Sequence, residues 1–253
     1  MDKRYLSHLT AVFLVAGRGT RISKLTKNPK CLLKINNQTI IDRNLNYLKE
    51  LNIKNVTLVL GYKKNLIKKE IAKHSKYFNF KLVYNNDYKK YGNSYSLYKG
   101  LKFSEMKSLI FDGDLVYSKK ILENFLKSRY KSSFLIGKTS IKNIECAKTL
   151  VDKNGYVKKT IDKRLIKKSE LKKYKFVGEA IGIIKISNKI RLLMVKELEV
   201  FLKKKINLTL NWEHFMNIFL NKNLIKFNNT INSEWIEIDT KQDYVRAVSM
   251  FKK

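Results

Sequence analysis

Proline occurs once in this chain, at Pro29, and cysteine twice, at Cys31 and Cys146. No Pro/Gly/Ser-rich stretch marks a linker, so nothing divides the chain at a clean domain boundary. Two cysteines without metal-ligand spacing exclude a disulfide scaffold and fit a reducing cytoplasm. Three scattered histidines, His8, His74 and His214, argue against a histidine-built metal centre. The absence of a Ser-His or Cys-His pair counts against hydrolase chemistry. No run reaches the ~18 apolar residues of a membrane span, so membrane insertion is not expected. Lys3-Arg4 followed by Leu9 to Ala16 imitates a secretion signal. Cleavage there would destroy the glycine loop that follows, so the segment reads as a first strand.

Acid is the other scarcity: 21 Asp+Glu stand against 54 Lys+Arg, a formal charge of +33. Such a balance suits a polyanionic partner. The lysines are spread along the whole length, however, which fits solvated faces better than a nucleic-acid-binding arm. Nucleic acid is therefore not an expected partner. The 253 residues, 44% of them apolar, can bury a large core, and we read 1–253 as a single domain.

What is present begins with Ala11-Val-Phe-Leu-Val-Ala-Gly17-Arg-Gly19-Thr-Arg21, with Lys30 nine residues on. An apolar run delivers a glycine turn and two cations in fixed order. Glycine lets backbone N–H groups approach phosphate oxygens closely. The third glycine of the dinucleotide fingerprint is missing, because Ile22 stands in its place. A Walker loop is missing too.

In the first half, strand and helix signals alternate, which predicts an α/β fold with a mostly parallel sheet flanked by helices. Expected strands are 11–16, Asn55 to Leu60, Lys81 to Tyr84 and Ser108 to Phe111. Helices are expected over 40–51, Lys64 to His74 and Ser94 to Leu101, and Ser118 should cap another running to Lys127. Beyond it, strands are expected at Ser133 to Ile136, Thr149 to Val151, after the Lys153-Asn-Gly155 turn, at Glu179 to Ile186 and at Glu234 to Asp239. Helices should span 188–204 and 211–221, and Thr240 should cap a last one. Residues 1–117 read as a nucleotide-binding half and 118–253 as an acceptor-binding half.

Clustered acids stand out in so basic a chain. Asp112 and Asp114 sit at a strand end, where open α/β sheets place ligands. Glu237 and Asp239 end a late strand. Mg²⁺ takes one or two carboxylates plus phosphate oxygens, and two strand-end carboxylates suit it.

The stretch from Leu14 to Leu33, with G-R-G-T-R and then Pro29-Lys30-Cys31-Leu32-Leu33, resembles the signature of the nucleoside-triphosphate nucleotidylyltransferases that make activated sugars and alcohols. The resemblance implies the Rossmann-like nucleotide-diphospho-sugar transferase type of fold. It implies that Val15, Ala16, Gly17, Gly19, Thr20 and Arg21 hold the nucleotide, together with Asp112. It gives Arg21 the β- and γ-phosphates, and Lys30 the α-phosphate and the incoming acceptor. It makes Asp114 and Asp239 the Mg²⁺ ligands and leaves open whether Asp112 or Glu237 shares the ion. Asn93-Ser94-Tyr-Ser-Leu97 resembles a segment of the cytidylyltransferases, which implies CTP, assigns base contacts to Ala16, Gly17, Asn86 and Asn93, and adds Ser94 to the nucleotide-binding residues. Glu179, Trp212, Glu213 and Trp235 put acids beside aromatics or glycine, a pairing that suits a substrate ammonium.

The expected function is a cytoplasmic, Mg²⁺-dependent cytidylyltransferase. It joins CTP to a small phosphorylated amine or amino acid and releases pyrophosphate, as in the phosphocholine and phosphoglutamine enzymes, for surface-polysaccharide (capsule) modification. The alternative is a sugar-1-phosphate nucleotidylyltransferase using UTP or dTTP. A homodimer stays open.

Overall fold

The computed structural model describes residue 6, residues 8–230 and residues 234–252. Lys3 and Arg4 lie outside the described residues. In chain order the strands are β1 (Leu9–Val15), β2 (Lys34–Ile35), β3 (Gln38–Thr39), β4 (Asn55–Leu60), β5 (Asn79–Tyr84), β6 (Lys107–Asp112) and β7 (Leu115–Tyr117). They continue with β8 (Ser133–Gly137), β9 (Lys148–Val151), β10 (Val157–Ile161), β11 (Lys175–Ile186), β12 (Lys226–Asn229) and β13 (Trp235–Glu237). The α-helices are α1 (Ile40–Glu50), α2 (Lys64–Ile71), α3 (Asn93–Lys102), α4 (Lys119–Lys127), α5 (Lys168–Lys173), α6 (Asn188–Leu202), α7 (Trp212–Lys222) and α8 (Lys241–Met250).

The main sheet runs β10-β9-β11-β6-β1-β4-β5, with β8 beside β11 and β12 beside β8. β6, β1, β4 and β5 are parallel. β1 lies at the centre of this parallel part, and its sequence LTAVFLV is buried almost throughout. That is the expected composition of a strand covered on both faces. Its residues alternate between two cores. Ala11, Phe13 and Val15 pack with α1, α2 and α4, and Phe13 stacks on Phe111 at 4.7 Å between centroids. Val12 packs with the opposite layer, built by Leu97 of α3, Met194 of α6 and Phe215 of α7.

β11 turns the sheet antiparallel, pairing with β6, β8 and β9. Its ladder to β8 breaks between Ala180 and Ile184, where Gly182 takes φ +74°. A two-stranded ribbon, β7 with β13, stands off the main sheet. Its register sets Trp235 opposite Tyr117 and Glu237 opposite Leu115.

The expected elements are present with small shifts of boundary. Three short strands (β2, β3 and β7), the edge strand β12 and the helix α5 are additions. Thr240 caps α8 as expected, accepting from the Asp243 N–H at 3.2 Å. Ser118 precedes α4 but makes no side-chain cap bond, so its expected role is corrected.

Candidate functional site

β1 ends on the glycine loop at the carboxyl edge of the parallel strands. Gly19 has φ +64° and leads into a short 3₁₀ turn, Thr20–Ile22. Glycine is required there twice over. The left-handed backbone disfavours a side chain, and a Cβ would come within 2.8 Å of Lys30 Cγ. The lone proline precedes Lys30 in extended conformation, and Lys30 opens a second 3₁₀ turn. Lys30 therefore lies directly against the glycine loop.

The Lys30 ammonium sits between two carboxylates. Nζ donates to Asp114 Oδ2 at 2.9 Å and to Asp239 Oδ1 at 2.6 Å. Arg21 pairs with the other oxygen of Asp239. Burial alone would lower the pKa of Lys30, but the charges and hydrogen bonds of Asp114 and Asp239 outweigh it and the net shift is upward. The two expected metal ligands thus converge from positions 114 and 239. The β7–β13 ribbon brings them together, and its ladder is extended by the Ile238 N–H donating to the Asp114 carbonyl at 3.0 Å.

Glu237 joins them. Asp114, Glu237 and Asp239 each offer a carboxylate oxygen within 4.8 Å of the others. Burial, then Asp114, Asp239 and Asp112, push the Glu237 carboxyl well above its usual range. Three hard oxygen donors so placed, with mutual repulsion that a divalent cation would relieve, fit Mg²⁺. Asp112 is not in this group. The Trp212 side chain donates to it, and it packs against Gly182, where a Cβ would come within 2.6 Å of its Oδ2. Burial, with Asp114 and Glu213 nearby, raises the Asp112 pKa strongly.

Two abutting cavities flank the cluster. One of about 340 Å³ is lined by Val15, Gly17, Gly19, Thr20, Arg21, Lys30 and Asp114. The other, about 270 Å³, is lined by Ala16, Gly17, Ser96, Trp212 and the acids Asp112, Asp114, Glu145, Asp162, Glu213, Glu237 and Asp239. A third of the 21 acidic residues of this very basic chain meet here. One Glu213 oxygen is buried without a hydrogen-bond partner, and burial raises its pKa to about 7. Lys163 and Cys146 also line this cavity. Burial raises the Cys146 thiol to about 11 and pushes Cys31 up as well, so neither is a ready thiolate nucleophile.

Asn93 lines both cavities. Four of the expected site residues line neither. Asn86 is exposed in the turn after β5, whereas its neighbour Asn85 is buried and donates from Nδ2 to Ser96 Oγ at 3.0 Å. Ser94 is buried in the first turn of α3 with its hydroxyl unpartnered. Glu179 is engaged by Cys146 and Thr139, and burial lifts its pKa to about 7. Trp235 lies on Gly137, where a Cβ would come within 2.2 Å of the indole. Asp162 and Lys163 are additions to the expected site, and of the two acids left open beside Asp114 and Asp239, Glu237 lies in the cluster.

Residues 11–140 match the family model described as a MobA-like NTP transferase domain. Over 128 residues the chain is 32% identical to a choline-phosphate cytidylyltransferase of Streptococcus pneumoniae, covering 50% of this chain and 54% of that protein. It is 26% identical over 255 residues to a CTP:phosphoglutamine cytidylyltransferase of Campylobacter jejuni, covering 93% and 97%. The first match thus spans only about half of the relative. The crystal structure of the CTP:phosphocholine cytidylyltransferase from Streptococcus pneumoniae superposes with a TM-score of 0.76 at 22% identity, over 97% of this chain and 100% of that one. This likeness shows the fold, which is the expected nucleotide-diphospho-sugar transferase type.

Proposed function

The chain belongs to the MobA-like NTP transferase domain family, and from that premise we propose that it is a cytidylyltransferase joining CTP to a small phosphorylated amine or amino acid. The observation that carries this is the convergence of Asp114, Glu237 and Asp239 on Lys30, beside Arg21 and the glycine loop. In this reading residues 1–117 carry the nucleotide site, and 118–253 supply most of the acceptor site and two of the three metal carboxylates.

A Mg²⁺ held by Asp114, Asp239 and Glu237 would neutralise triphosphate charge and orient the α-phosphate. The loop amides of Gly17 to Arg21 cradle the leaving diphosphate, and Arg21 offsets its charge as it departs. Lys30 leaves its resting place between the carboxylates for the α-phosphate and the acceptor phosphate, holding two anions that would otherwise repel. An acceptor phosphate oxygen then attacks the α-phosphorus. A new P–O bond forms, the bond to the β-phosphate oxygen breaks, and pyrophosphate leaves with that electron pair. A phosphomonoester has its second pKa near ~6, so no general base is needed.

The acidic cavity supports an ammonium-bearing acceptor. A Glu213 carboxyl oxygen without a partner, beside Trp212, is the arrangement such a cation needs. Asp162 and Lys163 together suit an acceptor that carries both an ammonium and a carboxylate, which favours an amino-acid phosphate such as phosphoglutamine over phosphocholine. The alternative, a sugar-1-phosphate with UTP or dTTP, would satisfy the Glu213 oxygen through a sugar hydroxyl, so the preference for an ammonium rests on the seven acids that line the cavity. A cytoplasmic role in capsule modification belongs to the same proposal.

Pyrophosphate release from a panel of nucleotides and phosphorylated acceptors tests the reading. CTP with phosphoglutamine or phosphocholine, in Mg²⁺, is expected to be productive. Turnover confined to UTP or dTTP with a sugar-1-phosphate would overturn it.

A further inference from the structure

The starts of α3 and α7 are tied to each other: the chain leading into α7 accepts from the start of α3, and Asn93, the first residue of α3, accepts from the start of α7. The Gly92 N–H donates to the Leu208 carbonyl at 2.8 Å and the Ser94 N–H to the Leu210 carbonyl at 3.4 Å. In return, the Trp212 N–H donates to Asn93 Oδ1 at 2.7 Å. Helix starts leave their first N–H groups without intrahelical partners. The usual supplier would be the residue just ahead of the helix, but Asn211 makes no side-chain cap bond to α7. Asn93, from 119 residues upstream, takes that place.

The seam is tight. A Cβ on Gly92 would come within 2.2 Å of the Leu210 carbonyl oxygen, so glycine alone admits the close approach. On one side of it lies the glycine loop; on the other, Trp212 and Glu213 open α7 and line the acidic cavity.

We infer that Asn93 is a positioning residue that fixes Trp212 and Glu213 for the acceptor, acting through the α7 N-terminus. The inference rests on the cytidylyltransferase reading only for the identity of the substrates. Base recognition by Asn93, the role that the sequence resemblance assigns, makes a different prediction. A base contact would move nucleotide affinity; a positioning contact moves the acceptor.

The test uses the full chain with CTP and with phosphocholine and phosphoglutamine as acceptors. Asn93→Ala is expected to raise the acceptor KM about five- to tenfold, the scale of a lost helix cap. The Kd for CTP, measured by calorimetry, should stay within twofold. Asn93→Asp keeps the accepting oxygen and adds negative charge where a helix start favours it, so it should restore the acceptor KM. A CTP Kd that rises in step with the acceptor KM, or an aspartate variant as impaired as the alanine, overturns the inference. Amide hydrogen exchange on the ligand-free protein reads the same tie without any substrate. Asn93→Ala should speed exchange at Trp212 about fivefold while α6 is unchanged, and an unaltered Trp212 rate overturns the proposal. If the unaltered chain turns over neither acceptor, the functional reading fails and the exchange result still decides the tie.

Discussion

The backbone N–H of Ile238 donates to the carbonyl of Asp114 at 3.0 Å. One residue further along, the Asp239 side chain therefore lies beside that of Asp114, and both reach the same ammonium of Lys30. Asp239→Asn and Asp114→Asn should each lower turnover by more than about 10²-fold, the scale of losing one charge-stabilising group in a transition state. Pyrophosphate release measures this, with circular dichroism to confirm an intact fold. Near-unaltered turnover in either variant would remove the carboxylates from the chemistry.

Glu213 supplies a pH signature. Its pKa is about 7 in the folded protein against an ordinary 4.5, because burial disfavours the charged form. The folded state thus binds the proton more tightly than the unfolded chain. The stability this brings is present below pH 4.5 and is lost as pH rises through 7. Glu213→Gln should raise the ligand-free stability by roughly 2 kcal/mol at pH 8 and hardly at pH 4. Thermal melts at the two pH values check it, and an equal gain at both would contradict the assignment. The same variant should raise the KM of ammonium-bearing acceptors.

Glu170 makes the opposite case. Arg164 reaches its two carboxylate oxygens at 2.9 and 2.8 Å, Lys159 adds a contact at 2.6 Å, and the Lys167 N–H another at 2.9 Å. The Arg164 hydrogen bonds lead in holding this carboxyl far below the ordinary 4.5. Its contribution is present above pH 4.5 and is lost as pH falls toward the depressed value. Glu170→Gln should cost about 1–2 kcal/mol at pH 7, a figure tempered by the half-exposed cations. The loop carrying Asp162 and Lys163 should loosen with it. Urea unfolding reads the stability, and a higher acceptor KM with unchanged CTP affinity reads the loop.

Gly182→Ala should be damaging out of proportion to its size. The residue has φ +74°, and the new methyl would press within 2.6 Å of Asp112 Oδ2. Strain and displacement together should cost about 2 kcal/mol, a fall in Tm of roughly 4–8 °C. A melting temperature equal to that of the unaltered protein would count against this account.

Much of the glycine-loop side of the site is legible along the chain because its signals are local. The buried run of β1, the Gly17-to-Arg21 turn, Pro29-Lys30 and the Asp112/Asp114 strand end are each contiguous. Asn36 and Asn37, both at positive φ, form a two-residue hairpin turn between β2 and β3, strands of two residues each that are too short to show a period. The rest of the site depends on long-range pairing instead. β7 and β13 are three residues each, too short for periodicity to reveal, yet their register decides that Glu237 joins Asp114. Asp162 and Lys163 reach the cavity from a loop after β10 whose sequence carries no motif. Asn93 looks like a base contact because its segment resembles one, and its tie to Trp212 spans 119 residues. Asn85 and Asn86 differ only in the way the turn faces them, inward and outward.

The β7–β13 ribbon also has a temporal meaning. During synthesis every strand of the main sheet emerges before Trp235 does. Until residues 235–239 are made, Asp114 has neither Glu237 nor Asp239 beside it. The cluster therefore assembles in the same step as the core that Ile236 and Ile238 share with Ile35, Ile40 and Val116.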